Sequence, residues 1–341
     1  MYGLNIQHFA AGEAVHTTSG IASNANGNIT PYGESGGLSA EMKTYYSDYL
    51  VDMAEPKLVH DQFGQKVPIP KNRGKNVEFR KYDPLPKALT PLTEGVTPAG
   101  QKLDVKTVTA EVKQYGGYLE LSDIIQLTAI DNNLVQATKL LGGQAGRTLD
   151  TIVREVLCGG SNVQFAEGQV ESRDALVGGQ EEGNHYLTVN SVRKAVRTLK
   201  KHNAEPINGS FVGIIHPDAS YDLMNDPKWV NVKTYSDPEG IYNGEIGKIE
   251  NVRFVESSEA KIFEGEGADG CDVYATLIIG ENAYGTTEIN GGGLEHIIKQ
   301  LGSAGTADPL NQRATAGWKA TKAAVRLVEP YMVRIETAAS L

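Results

Sequence analysis

Ser35 lies in the motif Gly33-Glu34-Ser35-Gly36-Gly37, which fits the Gly-x-Ser-x-Gly pattern of serine hydrolases. Such a motif needs a buried strand directly before it, because the strand presents the nucleophile on a sharp turn. The residues before Gly33 are NGNITPY, which do not predict a buried strand. We therefore interpret residues 33–37 as a flexible glycine-rich hinge, and a serine hydrolase that uses Ser35 is the enzymatic alternative.

Residues 265–270, Gly-Glu-Gly-Ala-Asp-Gly, match the glycine pattern of dinucleotide-binding loops. In those loops a helix follows, and its N-terminus holds the pyrophosphate. Here strand-like CDVYATLIIG follows, and nearby carboxylates would repel phosphate. The segment is predicted to be an acidic turn between two strands. Gly247-Lys248 also fails as a phosphate-binding loop, because Ile249 follows it and the required earlier glycine is absent.

The spacing of the histidines and cysteines matches no metal-binding or thiol redox motif. None of the histidines occurs as HxH, HxxxH or HExxH, so structural roles are expected for them: His8, His16, His60, His185, His202, His216 and His296. Cys158 and Cys271 form no CxxC pair and are expected to be ordinary buried thiols. We predict no catalytic residue, no metal and no cofactor, and hence a protein that is not an enzyme.

Length and charge limit the remaining classes. The 341 residues suffice for two domains, or for one domain with large excursions. No apolar run approaches 18 residues, and the first twenty residues lack both a basic start and an apolar core, so no membrane span or secretory signal is expected. The net charge of -10 argues against a protein that coats phosphate backbones. We expect a soluble protein that stays where it is made.

The charge is unevenly distributed. Residues 64–114 contain ten basic and five acidic residues, a net of +5, whereas residues 235–272 contain ten acidic and three basic residues, a net of -7. Each window alone is most simply a solvated face. Together they also suggest that copies of the protein meet through complementary surfaces.

The first half of the chain predicts an arm, a helix and a hairpin. Residues 1–38 have no helical or strand period and predict a flexible arm. After Ser39, a helix carries the apolar stripe Met42, Tyr45, Tyr46, Tyr49, Leu50 and Met53. Residues 66–113 predict a long two-stranded excursion, in which NVEFRKY and DVKTVTAEVKQY flank a proline-rich centre. Such a hairpin is marginal alone and needs a surface to lie on.

The second half predicts a mixed α+β body without internal repeats. Residues 122–157 predict a helical stretch with a break expected at Asp131, Asn132 and Asn133, and with an Asp150–Arg154 pair one turn apart. Its interior glycines indicate either close backbone approach or a bend between two shorter helices: Gly142, Gly143 and Gly146. A second helix is expected over about 190–202, with Val192, Val196 and Leu199 on its apolar side. FVGIIHP predicts a buried strand before a short helix at DASYDLM, and residues 249–256, 273–279 and the alternating C-terminus predict further strands.

Four stretches resemble the major capsid proteins of tailed bacteriophages, in the branch of short-tailed phages related to coliphage N-four. They are KYDPLPKALTPLTEGVTPAGQKL (81–103), GRTLDTIVREVL (146–157), IGKIENVRFVESSE (246–259) and DPLNQRATAGWKA (308–320). The resemblance covers about residue 38 to the C-terminus. It implies the Hong Kong 97-like capsid fold with four parts: an N-terminal arm (1–63), an extended loop (64–114), a peripheral domain with a long spine helix (115–185 and 294–341) and an axial domain (186–293).

The resemblance implies a virion protein that is assembled in the host bacterial cytoplasm. Copies would form hexamers and pentamers of an icosahedral head, which encloses double-stranded DNA without sequence-specific binding. Scaffold, portal and decoration proteins are possible partners, and no membrane is involved. An encapsulin-like cellular compartment shares the fold and is the main alternative, and a surface adhesin or decoration protein is a third.

The opposed charge windows suggest which residues meet between subunits. We hypothesise that the basic loop docks on the acidic surface of an adjacent copy. The contact residues expected on the two sides are Lys66, Lys71, Arg73, Lys75, Arg80, Lys81, Lys87 and Lys102, and Glu245, Glu250 and Glu256. Some relatives crosslink a lysine to an asparagine, and Lys75 and Lys87 are candidates by position, although the sequence gives no sign of such a bond.

Overall fold

The computed structural model describes residues 21–23, 29–31, 50, 53–54, 58–69, 75–82, 85, 87–91, 94–95, 97, 100–103, 105–123, 133–166, 171–178, 185–229, 245–288, 294–303 and 308–340. Within these ranges, no helix combines the length and the apolar character that crossing a bilayer requires. The chain divides into two compact units. The first unit consists of residues 1–52, 116–142 and 295–319, and the second of residues 53–115, 143–294 and 320–341.

Strands come in runs at both ends of the described chain, with the α-helices between them, which is typical of an α+β fold. In the described part of the chain, the α-helices with defined bounds are α1 Asn133–Cys158, α2 Val189–Lys201 and α3 Pro217–Asn225. The strands are β1 Ile21–Ser23, β2 Ile29–Pro31, β3 Gln65–Val67, β4 Asn76–Tyr82, β5 Val105–Glu111, β6 Lys113–Ser122, β7 Val163–Phe165, β8 Phe211–Ile215, β9 Glu245–Ile249, β10 Val252–Glu256, β11 Ile262–Phe263, β12 Val273–Ile279, β13 Tyr284–Thr287, β14 Leu294–Lys299, β15 Arg313–Lys322, β16 Ala324–Arg326 and β17 Met332–Thr337.

A seven-stranded mixed sheet forms the centre of the second unit. Its strands follow the order β7, β17, β12, β8, β10 and β9, and β11 pairs with β12. β8 and β10 run parallel, as do β17 and β7, whereas β12 is antiparallel to β8 and to β17. All five residues of β8 are buried, which confirms the prediction from the continuous apolar run FVGII.

Helices cover both faces of this sheet. Because side chains alternate along a strand, Phe211 and Ile215 of β8 pack in one apolar cluster, and Val212 and Ile214 pack in another. The first cluster receives the apolar face of α2, which includes the predicted Val192, Val196 and Leu199. The second receives the C-terminal half of α1, through Val153, Leu157 and Cys158. Full burial of each large apolar side chain stabilises the fold by about 1.5–3 kcal/mol.

The predicted hairpin is confirmed. β4 and β5 pair antiparallel over their whole length, from Asn76 opposite Glu111 to Tyr82 opposite Val105. One face of β4 is buried, because Val77 and Phe79 pack with Ala323 and Leu327 of the same chain. The hairpin therefore lies on the region around β16 rather than standing alone, as its composition required.

The first unit contains a three-stranded sheet in the order β14, β15 and β6. Its strands approach closely at two glycines. A Cβ atom at Gly116 would lie 2.8 Å from the carbonyl oxygen of Trp318, and one at Gly317 would lie 2.9 Å from the Cβ of Tyr118. Only glycine fits such approaches without a shift of the backbone.

The helical prediction for residues 122–157 is wrong at Ser122 and is confirmed at Asp123 and over α1. Ser122 ends β6, residues 124–132 lie outside the described part of the chain, and α1 runs unbroken from Asn133 to Cys158. The Asp150–Arg154 pair is also wrong, because Asp150 is buried and accepts hydrogen bonds from His60 instead. At Gly143 an added Cβ would meet nothing within 4 Å, so close approach does not explain that glycine.

Two strand predictions also need correction. Residues 249–256 are not one strand, because Glu250 and Asn251 adopt φ values of 50° and 67° and turn the chain between β9 and β10. Residues 1–38 were expected to lack strands, yet β1 and β2 pair antiparallel. Asn26-Gly27 between these two strands is a favoured hairpin-turn dipeptide that the sequence reading overlooked. The other residues of the predicted arm, and most of the helix predicted after Ser39, lie outside the described residues.

The central sheet crosses the boundaries predicted for the peripheral and axial domains. β7 and β17 come from the two ranges predicted to be peripheral, and they pair within the same sheet as β8, β10 and β12 from the predicted axial range. The four-part division of the chain therefore remains a prediction about the assembled protein.

Candidate assembly surfaces

The segment between β4 and β5 exposes large apolar side chains. Leu89 is 82 % exposed, and Leu85 and Leu103 are more than half exposed. Exposed lysines, Lys87 and Lys102, lie in the same segment. We call residues 85–103 the loop tip, and β4 together with β5 the loop base. Exposed large apolar side chains in one chain segment can mark a contact site, so the loop tip is the first candidate for a surface that another molecule covers.

The structure leaves most of the predicted basic contact residues accessible. Lys66, Lys75, Arg80, Lys87 and Lys102 are exposed, and Lys81 is partly buried. Lys71 and Arg73 lie outside the described residues. These positions extend from β3 along β4 to the loop tip, so they do not form one compact patch.

The predicted acidic contact residues are engaged within the chain where they are described. Glu250 lies 2.5 Å from Arg193 Nη2. Glu256 accepts a hydrogen bond from the hydroxyl of Ser220 at 3.2 Å. The side chain of Glu245 lies outside the described residues. A partner for the basic loop at Glu250 would therefore compete with Arg193.

A buried polar cluster fixes the chain where it enters the loop, and we call it the root cluster. The backbone N–H of His60 and its ring nitrogen Nδ1 both lie 2.7 Å from the carboxylate of Asp150 on α1. The carboxylate of Asp61 receives Lys322 Nζ at 2.5 Å and the hydroxyl of Thr286 at 2.6 Å. The hydroxyl of Tyr284 donates to the carbonyl oxygen of His60.

In the root cluster, the buried charges of Lys322 and Asp61 stabilise each other. Burial lowers the pKa of Lys322, and the neighbouring Asp61 carboxylate opposes that shift by favouring the charged amine. Lys322 Nζ also donates to the carbonyl oxygen of Thr287 at 2.8 Å. A buried pair of this kind is tolerated only when both partners stay hydrogen-bonded, so it fixes the position of residues 60–61 on the body of the second unit.

Sequence reading missed the root cluster because its members are far apart in the chain. His60 and Asp150 are separated by 90 positions, and Asp61 and Lys322 by 261. The available signal was a lysine in the alternating apolar stretch WKATKAAVRLV, since a charged residue on a buried strand face requires a partner. Nothing in the sequence identified that partner.

A second ionic cluster holds the acidic turn that was predicted at residues 265–270. The turn lies between β11 and β12, as predicted. Arg173 donates to both carboxylate oxygens of the buried Glu336, at 2.7 and 2.9 Å, and stacks 3.4 Å over the ring of Phe263. Hydrogen bonding to Glu336 raises the pKa of Arg173 further above its already basic value. Arg173 also pairs with Glu266, which ties the turn to residues 171–176.

Three described histidines have structural hydrogen bonds, and one cysteine is unreactive by burial. His60 belongs to the root cluster, His185 Nδ1 accepts from the N–H of Val177, and His216 Nδ1 accepts from the N–H of Asp218 at the start of α3. Burial raises the pKa of Cys158 to about 12. The expectation of a buried thiol is wrong for Cys271, which is only partly buried and donates its thiol to the carbonyl oxygen of Leu176 at 3.2 Å. Among the described residues, no group of three metal-ligating side chains comes together. Ser35 lies outside those residues.

Comparison with known proteins identifies the family and the fold of this chain. The family model "Phage capsid protein" matches residues 103–295, which is more than half of the chain. The chain belongs to the phage capsid protein family. The capsid protein has the Hong Kong 97-like fold that its resemblance to tailed-phage capsids implied.

Solved phage capsids share the fold at low sequence identity. The capsid of cyanophage P-SCSP1u superposes with a TM-score of 0.57 at 12 % identity, over 82 % of this chain and 87 % of that one. The capsid of Ralstonia phage GP4 gives 0.57 at 13 % identity, over 82 % and 86 % of the two chains. The cyanophage Pam1 capsid gives 0.55 at 16 % identity, over 79 % and 86 %. A search of curated proteins found no match to the capsid protein.

Proposed function

We propose that this chain is the major capsid protein of a tailed phage, and that it assembles into hexamers and pentamers of an icosahedral head around double-stranded DNA. The observation that carries the proposal is the family match over residues 103–295, together with a hairpin that is anchored at its base and exposed at its tip. Exposure of the apolar side chains of the loop tip to water is unfavourable in free energy. Contact with a neighbouring subunit would bury them and remove that cost.

Self-association through the loop explains how one sequence builds a closed shell. Contact between two different surfaces of identical subunits generates rings when the rotation closes. In the proposed assembly, the loop tip of one subunit covers part of the next subunit, and the root cluster keeps the loop pointing in one direction. Scaffold, portal and decoration proteins, and assembly in the cytoplasm of a bacterial host, belong to the same proposal.

The net charge of -10 is compatible with an enclosed genome. DNA carries its own condensed counterions, so the inner wall of a shell does not need the dense positive charge of a DNA-coating protein. The proposal therefore requires enclosure of DNA and no sequence-specific binding.

The decisive experiment is electron microscopy of the purified protein over a range of concentration and salt, with a loop variant as the comparison. A deletion that extended into β4 and β5 would also remove Phe79 and other buried side chains, so the change is confined to the segment between these two strands. Residues 83–104 can be replaced by Asn-Gly, because Tyr82 and Val105 are opposite each other in the hairpin.

We expect the shortened variant to keep its circular dichroism and unfolding midpoint and to form no shells. Normal shells from that variant would refute the role of the loop. Shells isolated from the cells that produce them should contain nuclease-protected DNA. Shells that contain a cargo enzyme instead would indicate an encapsulin-like compartment.

A further inference from the structure

Helix α2 presents an unusual concentration of positive charge for a chain with a net charge of -10. Its thirteen residues include five cations and no acid. All five cations are exposed: Arg193, Lys194, Arg197, Lys200 and Lys201. We call this set the basic face of α2.

The five cations share one side of the helix. At about 100° per residue they fall within an arc of about 120°, opposite the buried stripe that packs on the sheet. Cations suit the last turn of a helix, which accounts for Lys200 and Lys201. That effect does not reach Arg193 in the second turn, so the helix dipole does not explain the whole set.

The cations near the C-terminal end of α1 differ from this face, because they pair with an acidic residue of the same helix. Arg154 and Lys261 both bind Glu155, at 2.7 and 3.0 Å. On α2 the cations follow one another without an intervening acid, and Arg193 reaches outside the helix to Glu250. That contact shows that the basic face can bind a carboxylate.

The opposite charge is concentrated on another part of the second unit. Residues 171–176 and 264–272 are joined by the Arg173–Glu266 pair and by a 2.8 Å hydrogen bond from the N–H of Ala268 to the carbonyl oxygen of Leu176. We call these two segments the acidic end. Its exposed carboxylates are those of Glu171, Asp174, Glu264, Glu266, Asp269 and Asp272.

The C-terminal end of α2, which carries Lys200 and Lys201, and the acidic end lie at opposite ends of strand β12. The segment after α2 contacts the chain just beyond the C-terminal end of β12, where the N–H of Glu281 donates to the carbonyl oxygen of Glu205 at 2.8 Å. The acidic end lies at the first end of β12, where Phe263 pairs with Val273. β12 has seven residues and is therefore about 20 Å long. Charges that far apart are screened at physiological salt, so Lys200 and Lys201 do not neutralise the acidic end within one subunit.

We propose that the basic face of α2 binds the acidic end of a second copy of this chain, as a head-to-tail contact within a ring. The inference rests on the proposed capsid function and adds the specific surfaces of one subunit contact. The second copy is favoured over other polyanions because the complementary surface is present on the same chain, at the opposite end of the same sheet. Opposed surfaces at two ends of one subunit are what a head-to-tail ring requires.

Reversing charges on either side, and then on both, tests the contact. The first variant is Lys200→Glu with Lys201→Glu, and the second is Glu171→Lys with Glu264→Lys. The combined variant has the net charge of the natural protein. Assembly is followed by light scattering and electron microscopy. A matched control is Lys139→Glu with Lys299→Glu, which changes the net charge as the first variant does at two exposed lysines outside the basic face.

We expect each reversal to raise the subunit concentration needed for assembly by about ten-fold, since two charge pairs become repulsive. The combined variant should return it close to that of the natural protein, and the control should change it little. Circular dichroism of each free subunit checks that the fold is kept.

Three outcomes would overturn the inference. One is normal assembly of both single-surface variants, with the natural protein still forming shells, which would leave the capsid function intact. Another is failure of the combined variant to recover although its subunit is folded. The third is normal assembly of the Lys200→Glu, Lys201→Glu variant with a loss of binding to a short DNA duplex, which would assign the basic face to nucleic acid. Absence of shells from the natural protein would instead count against the proposed function.

Discussion

The loop base buries Val77 and Phe79 to 2 % and 1 % exposure, whereas the loop tip leaves Leu89 82 % exposed, although both belong to one hairpin. The base is held by its own chain, through Ala323 and Leu327 on one side and the root cluster at its entry. The described residues of the tip have no comparable packing. The contrast indicates a division of roles, in which the base sets the direction of the loop and the tip supplies the surface that meets another subunit.

The largest effect is expected at the root cluster. Lys322→Met removes the cation that pairs with the buried Asp61 and leaves a carboxylate without its charge partner. We expect a loss of about 3–5 kcal/mol in the free energy of unfolding of the free subunit, measured by urea denaturation. The double variant Asp61→Asn, Lys322→Met should lose less. A loss below about 1 kcal/mol for Lys322→Met would show that the loop does not depend on this pair.

The next effect is expected at the loop base. Phe79→Ala opens a cavity between β4 and the strand that contains Gly285, and we expect a loss of about 3 kcal/mol. Phe79→Leu should lose less, because it fills part of the same space. Hydrogen exchange along β4 and β5 is the specific measurement. Fast exchange in both strands with an unchanged central sheet would show that the base is a separate cooperative unit.

A smaller effect is expected at Gly285, which the Phe79 ring covers. A Cβ atom at Gly285 would lie 2.3 Å from that ring, so Gly285→Ala forces the ring to move and should lose about 1–3 kcal/mol. In the double variant with Phe79→Ala the clash disappears. The two losses should therefore fail to add, and the double variant should be close to Phe79→Ala alone. Strict additivity would mean that the ring and this glycine do not touch.

The strands of the loop base could be predicted from the sequence, whereas their packing partners and the pairs of the root cluster could not. NVEFRKY and DVKTVTAE carry local strand propensity, so the hairpin could be predicted. The surface on which it lies could not, because Gly285 and Ala323 are more than two hundred positions from Phe79 and only folding brings them together. The same limit applies to Asp150, whose helical spacing suggested Arg154 as partner while its contact is His60. Local periodicity specifies elements, whereas buried polar pairing is decided by tertiary structure.

For the acidic turn, by contrast, sequence reasoning from chemistry predicted the place of the turn between two strands. Its glycines matched a nucleotide-binding pattern, but the absence of a following helix and the surrounding carboxylates excluded that reading, and the turn lies between β11 and β12. The partner of the turn was still missed, since Arg173 is 93 positions from Glu266.

The smallest effect on the folded subunit, and a large one on assembly, is expected at the loop tip. Leu89→Ser and Leu103→Ser change exposed side chains, so the free energy of unfolding should stay within about 0.5 kcal/mol of that of the natural protein. If the tip is covered in the assembled shell, the same changes remove apolar area from the contact and should raise the concentration needed for shells. Leu310→Ser, at a leucine of similar exposure outside the loop, is the matched control. A stability loss above about 1 kcal/mol would instead mean that the tip packs on its own subunit, and the division between an anchored base and a free tip would have to be given up.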